Sequence, residues 1–155
     1  MEKLSNTASE PNNNIPAISM RAARVLVVEN QRHLSRYLQY VLERAGYEVC
    51  VAFDGEQALA AVESFPPDAV LLDAVLPGIS ALELLRSLRA NRKCQNLVVV
   101  MLPASSCAKP CIEAQNAGAD SYCSRPIVPR ALLEKLAELS VPARCESAGR
   151  GLVPR

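Results

Sequence analysis

The sequence is short of several things that would mark an enzyme or a membrane protein. It holds one histidine, His33, and six glycines in 155 residues. A single imidazole cannot anchor a histidine-rich metal centre, and no Gly-rich loop is present to cradle phosphates. No Ser/His/Asp arrangement for nucleophilic catalysis is visible, so the chain does not read as an enzyme. Charge of one sign is not in excess: 17 Lys plus Arg against 16 Asp plus Glu leave a formal net charge of +1. That balance gives no electrostatic case for direct binding to nucleic acid or to an anionic membrane. The longest apolar run, residues 97–104, falls far short of the roughly 18 residues that cross a bilayer. Residues 1–20 lack the basic start and apolar stretch of a secretory signal, and a cytoplasmic location is expected. Cysteines stand at 50, 94, 107, 111, 123 and 145, with no CxxC motif. Reduced thiols are the default without a signal peptide, and Cys50 and Cys123 read as small buried hydrophobes. A redox role for Cys107 and Cys111 stays open.

What is present is ample apolar material. Half of the residues are hydrophobic and 21% are charged, enough for the core of one domain. Residues 1–21, rich in Asn, Pro and Ser, are expected to form a flexible leader, and residues 142–155 a tail. The closing Leu152-Val153-Pro154-Arg155 looks like a protease site left by a purification tag, which suggests a longer native protein. The domain is therefore expected to span 22–141.

Within it, short β-branched runs alternate with helical periodicity. Val25-Leu26-Val27-Val28 reads as a strand covered on both faces. Leu34, Tyr37, Leu38, Val41 and Leu42 then recur at helical spacing up to Gly46. Further strands are expected at 47–52, 69–73, 97–102 and 119–123. The intervening helices include one capped by Asp54 and one opened by the box Ser80-x-x-Glu83. A short helix follows strand four, with Pro110 in its first turn and Gly118 at its end, and a last helix covers 131–139. Five strand–helix repeats imply an α/β fold, a doubly wound parallel sheet joined by right-handed crossovers. Chemistry in such sheets gathers at the carboxyl ends of the strands, at Glu29-Asn30, Asp73, Pro103-Ala104 and Arg125-Pro126.

Those segments resemble the receiver domain of two-component response regulators, the CheY-like family. The likeness rests on Val25-Leu-Val-Val-Glu-Asn30, Gly46-Tyr47, Ala52-Phe-Asp-Gly55, Pro67-Asp-Ala-Val-Leu-Leu-Asp73 with Leu76-Pro-Gly78, and Gly118-Ala-Asp-Ser-Tyr-Cys-Ser-Arg-Pro126. The resemblance implies a flavodoxin-like sheet of order 2-1-3-4-5. It also implies a role in a phosphorelay. Asp73 matches the phosphoacceptor, expected as an uncovered carboxylate at the end of the middle strand. The expected donor is a sensor histidine kinase or a phosphotransfer protein. Mg²⁺ would be held by Glu29, Asn30, Asp73 and the backbone carbonyl of Val75. Tyr122 matches a switch aromatic, and Arg125-Pro126 a bond that is usually cis. The face of the fourth helix, fifth strand and fifth helix is where partner contacts, or a homodimer, would change.

Three positions depart from the family. Asn30 replaces a carboxylate, which should weaken Mg²⁺ binding. Pro103 stands at the hydroxyl position and offers neither a hydroxyl nor an N–H; Ser105 lies two residues on. Arg125 takes the place of a lysine, keeping its charge but changing its geometry, and is expected to reach Asp73 or Glu29. The alternative reading is a degenerate pseudo-receiver, a phosphorylation-independent interaction module tuned by Cys107 and Cys111 oxidation. His33 reads as a solvated helix residue, and Arg86, Arg89, Arg92 and Lys93 as cations favouring a helix dipole.

Overall fold

The computed structural model describes residues 20–103 and 112–146. In chain order, β1 (Met20–Ala22) and β2 (Arg24–Val28) lead into α1 (Arg32–Arg44), β3 (Glu48–Ala52) and α2 (Gly55–Ser64). Then come β4 (Ala69–Asp73), α3 (Ala81–Ala90), a 3-10 turn (Arg92–Cys94) and β5 (Val98–Leu102). The chain continues through α4 (Ile112–Ala117), β6 (Ser121–Tyr122), α5 (Pro129–Glu138) and β7 (Arg144–Glu146). Five of the strands form one parallel sheet in the order β3-β2-β4-β5-β6, the expected doubly wound arrangement. Its order reverses between β2 and β4, so the crevice for chemistry opens above their carboxyl ends.

Alternation along the central strands builds two cores. Leu26, Val28, Val70, Leu72 and Val99 face one side, against Ala58 and Val62 of α2 and Leu84, Leu85 and Leu88 of α3. Val25, Val27, Leu71, Val98 and Val100 face the other, against Leu38 and Leu42 of α1 and Leu132 and Leu136 of α5. Every residue of β4 and β5 is buried, as a strand covered on both faces requires.

The helix boundaries follow the expected caps. Asp54 Oδ1 accepts the Gln57 N–H at 2.8 Å. Ser80 and Glu83 close their box through a Glu83 N–H to Ser80 Oγ bond of 3.1 Å and a Ser80 N–H to Glu83 Oε1 bond of 3.0 Å. Gly46 ends α1 with φ +104°, a conformation open to glycine at no steric cost. The described part of α4 begins at Ile112, and Pro110 lies outside the described residues.

The expected domain limits, 22 and 141, leave out a second sheet. β1 and β7 pair antiparallel, Met20 with Glu146 and Ala22 with Arg144, at the amino-terminal pole of the main sheet. The return path after α5 is built in: Val141 is buried, its carbonyl accepts the Tyr47 hydroxyl at 2.6 Å, and Ala143 O accepts the Ala23 N–H at 2.8 Å. Neither terminal segment carries a hydrophobic period of its own, so only the body of the fold makes the pairing possible.

Arg89 is also placed differently from the expectation of a cation at a helix end. It runs into the fold, donating to the carbonyls of Gly118, Cys94 and Leu97 and pairing with Asp120 at 2.7 Å. Gly118 has φ +117°, and a Cβ there would stand 2.8 Å from Arg89 Cγ, so glycine is needed for both reasons. Among the described residues no helix is long and apolar enough to cross a membrane.

Candidate functional site

Three strand ends converge on two carboxylates and one guanidinium. Glu29 follows β2 directly, its N–H bonded to Ala52 O at 3.0 Å, which carries the ladder one residue further. That places the side chain in the crevice, with no exposed surface. Its Oε2 accepts the Gln31 N–H at 3.0 Å, while Oε1 has no hydrogen-bond partner. Asp73 ends β4, and its Oδ1 accepts the Val75 N–H at 3.1 Å. Arg125 arrives from the loop after β6. Its Nε donates to Pro103 O at 2.6 Å, and its Nη2 lies 3.4 Å from Asp73 Oδ1 and 3.8 Å from Glu29 Oε1. The Arg125–Pro126 peptide bond is cis.

The charges do not cancel. Burial, reinforced by the neighbouring Asp73 carboxylate, raises the Glu29 pKa from 4.5 to about 7. The Gln31 amide and the Arg125 guanidinium pull it the other way without prevailing. Glu29 therefore keeps its proton to a higher pH than a solvated glutamate does.

The structure thus gathers Glu29, Asp73, Pro103 and Arg125, as the sequence led one to expect. It differs over the exposure of Asp73. Asp73 is only 5% exposed, not an uncovered carboxylate. Asp73 closes a strand buried along its whole length, and the Arg125 guanidinium, held by Pro103 O, lies 3.4 Å from it. Asn30 is exposed at the rim, and Val75 is 63% exposed while its N–H points back at Asp73. Tyr122 is half-buried against the α2–α3 core and lines a small apolar cleft with Ala74, Met101, Pro103 and Ala114. Ala104, Ser105, Cys107 and Cys111 lie outside the described residues.

Sequence reasoning missed the groove beside the pocket. It measures about 440 Å³ and runs between α1 and the loop after β6, lined by Gln31, His33, Tyr37, Arg125, Pro126 and Ile127. The Tyr37 hydroxyl donates to Ile127 O at 3.2 Å, across its floor. His33, read from the sequence as simply solvated, stands on its wall. Its only sequence signal was proximity to the Glu29-Asn30 strand end.

The donor set suits a small hard cation. Buried carboxylate oxygens, one of them without a partner, are the ligands Mg²⁺ prefers. Among the described residues no group of three or more His, Cys, Asp or Glu side chains gathers. Any ion would rest on Glu29 and Asp73, helped by neutral oxygens and water.

A doubly wound sheet with an acidic pocket at its switch point, an aspartate ending the third parallel strand and a cis X–Pro after the fifth defines a receiver. The response regulator receiver domain model matches residues 25–137, and the chain belongs to that family. Its relatives are two-component signalling proteins. It is 36% identical over 113 residues to the DNA-binding response regulator MtrA of Mycolicibacterium paratuberculosis, covering 73% of this chain and 49% of that protein. It is 36% identical over 107 residues to the alkaline phosphatase synthesis transcriptional regulatory protein PhoP of Bacillus subtilis, covering 69% and 44%. The chain spans about half the length of the curated relatives it matches. Among solved structures, a CheY-like response regulator receiver domain protein from Methanospirillum hungatei superposes with a TM-score of 0.70 at 31% identity, covering 77% of this chain and 94% of that one.

Proposed function

We propose that the chain works in a phosphorelay, with Asp73 accepting a phosphoryl group from a histidine of a sensor kinase or phosphotransfer protein. One observation carries the reading: Asp73 ends the central strand within 3.4 Å of Arg125, beside a buried Glu29 oxygen that has no hydrogen-bond partner. In the transfer, an Asp73 oxygen forms the new P–O bond as the P–N bond of the phosphohistidine breaks. The leaving imidazole nitrogen keeps the electron pair. Such a transfer needs little covalent help; it needs positioning and neutralisation of the phosphoryl oxygens. Arg125 supplies a fixed positive charge there, and Glu29 and Asp73 would hold Mg²⁺, which when bound shares that neutralising task. The weakened metal binding expected from Asn30 belongs to this proposal, as does the Val75 carbonyl as a ligand. The donor histidine would approach along the groove of His33, Tyr37 and Ile127, which opens onto Arg125.

The added phosphate brings about −1.5 to −2 charge units. That charge draws Arg125 from the carboxylates and disturbs Pro103, its anchor at the end of β5. Tyr122 shares an apolar cleft with Pro103, which links the pocket to the α4–β6–α5 face. On that side Ile112 and Val128 are 70% and 52% exposed, apolar surface fitted to an output partner or a second copy. The domain is a signalling module, not an enzyme. The alternative reading based on thiol oxidation rests on Cys107 and Cys111, which lie outside the described residues; burial pushes the Cys94 and Cys123 thiols up, away from the reactive thiolate.

The test is intact mass after incubation with phosphoramidate and Mg²⁺. Gain of one phosphate that is absent in Asp73→Ala supports the proposal. No gain in the wild type, together with thiol loss under mild oxidant, refutes it in favour of a redox-tuned interaction module.

A further inference from the structure

Pro103 leaves the pocket one hydrogen-bond donor short at the end of β5. Among the described residues, Arg125 reaches that strand end. Arg125 Nε, not Nη, is bound to the Pro103 carbonyl, at 2.6 Å, and this short bond fixes the guanidinium plane at one corner. Nη2 faces Asp73 Oδ1 at 3.4 Å and Glu29 Oε1 at 3.8 Å, distances too long for strong charge-assisted bonds. Among the described residues Nη1 makes no hydrogen bond. A guanidinium carries five N–H donors in a rigid fork, and here a single one is firmly engaged. The group is therefore tethered through Nε, with Nη2 turned towards Asp73.

We infer that Arg125 performs two tasks in this domain: it supplies the positive charge beside Asp73 and, with Nη1 and Nη2, the hydrogen bonds that residue 103 cannot donate to the phosphoryl oxygens. Pro103 is a positioning residue, acting through its carbonyl on Arg125. A lysine at 125 would carry its three donors on one nitrogen, so an ammonium bonded to the Pro103 carbonyl could not space its remaining donors as a planar fork does. Proline at 103 and arginine at 125 are thus a matched pair. The same fork that receives the phosphoryl oxygens rests on the carboxylates beforehand, so only its Nη end has to move when phosphate arrives.

The inference rests on Asp73 being the phosphoacceptor, and the experiment separates the two claims. Beryllofluoride with Mg²⁺, a mimic of the aspartyl phosphate, is titrated into the 155-residue chain and followed by fluorine NMR. Arg125→Lys is measured in the wild-type background and in Pro103→Thr, which returns a hydroxyl to the end of β5. The expected cost of Arg125→Lys is at least tenfold in mimic affinity in the wild-type background and under threefold in the Pro103→Thr background. A general loss of charge or folding would cost the same in both backgrounds. Equal costs overturn the inference, and a tenfold loss in Ser105→Ala alongside them assigns the missing bond to Ser105. In either case, mimic uptake by the wild type leaves Asp73 standing as acceptor. No uptake by any variant, with no phosphate gained from phosphoramidate, overturns both claims.

Discussion

Arg21 meets Asp68 through two parallel bonds, Nη1 to Oδ2 and Nη2 to Oδ1, each 3.0 Å. This fork locks the β1–β7 ribbon to the start of β4, since Asp68 is only 3% exposed and also takes the Arg24 N–H at 2.7 Å. Removing the arginine takes this two-pronged pair away from a buried carboxylate. Arg21→Ala should therefore lower stability by about 2 kcal/mol, between the cost of an ordinary hydrogen bond and that of a broken buried pair. The Arg24–Glu48 pair, with side chains 34% and 55% exposed, is the control. Glu48→Ala should cost under about 0.5 kcal/mol. Urea unfolding of both variants checks the contrast; equal midpoints would mean the ribbon is not anchored by this pair.

The Glu29 carboxyl predicts how stability varies with pH in chelator-treated protein. Its pKa is about 7 when folded and 4.5 as the unperturbed value, so between those limits the folded chain binds more protons than the unfolded one. Raising the pH across that window then favours unfolding. The stabilising share of the Glu29 proton is complete below about 4.5, declines as pH climbs, and is gone above about 7. Melting temperatures from about pH 5 to 8 should fall for the wild type relative to Glu29→Gln, whose amide stays neutral. Parallel curves for the two proteins would contradict the raised pKa.

The parts that were legible in the sequence share a physical trait: each is written locally. Val25 to Val28 and residues 69–72 are apolar at successive positions because both faces of those strands are covered. Ser80 with Glu83 and Asp54 cap helices through atoms three residues apart. Asp73, Pro103 and Arg125 were locatable because each closes or follows such a strand. What was not legible depends on side-chain direction between distant segments. Nothing local says that Asp73 is buried, or that Arg89 threads towards Gly118 instead of pointing to solvent. The β1–β7 ribbon was hidden for the same reason, since Met20–Ala22 gains its partner only after α5 returns to the same pole.

Arg89 makes five hydrogen bonds that tie the end of α3 to the turn before β5 and to the end of α4. Arg89→Leu leaves the Gly118 and Leu97 carbonyls without this donor and frees Asp120, which still accepts the Val99 N–H at 2.8 Å. The expected cost is about 3 kcal/mol, well above that of a solvated cation at a helix end. Amide hydrogen exchange should quicken in α4 and β6 before it does in β2. Uniform exchange across the sheet would show that Arg89 does not hold that edge specifically.

Asn30 sets the charge of the pocket by what it lacks. With Asn30 neutral, Glu29 and Asp73 are the carboxylates that the described residues bring to this pocket, and Arg125 already offsets one of them. A divalent ion approaching this site gains less than it would from three carboxylates, because the arginine opposes it at close range. Asn30→Asp adds the missing charge at the exposed rim, where its desolvation cost is small. Mg²⁺ affinity, read by isothermal titration calorimetry, should then rise about tenfold, or ~1.4 kcal/mol. The same change places a third negative charge near Glu29 and Asp73 and should lower the melting temperature without Mg²⁺, so the two measurements move in opposite directions. Affinity equal to that of the wild type, with an unchanged melting temperature, would show that the side chain at position 30 does not act on this pocket.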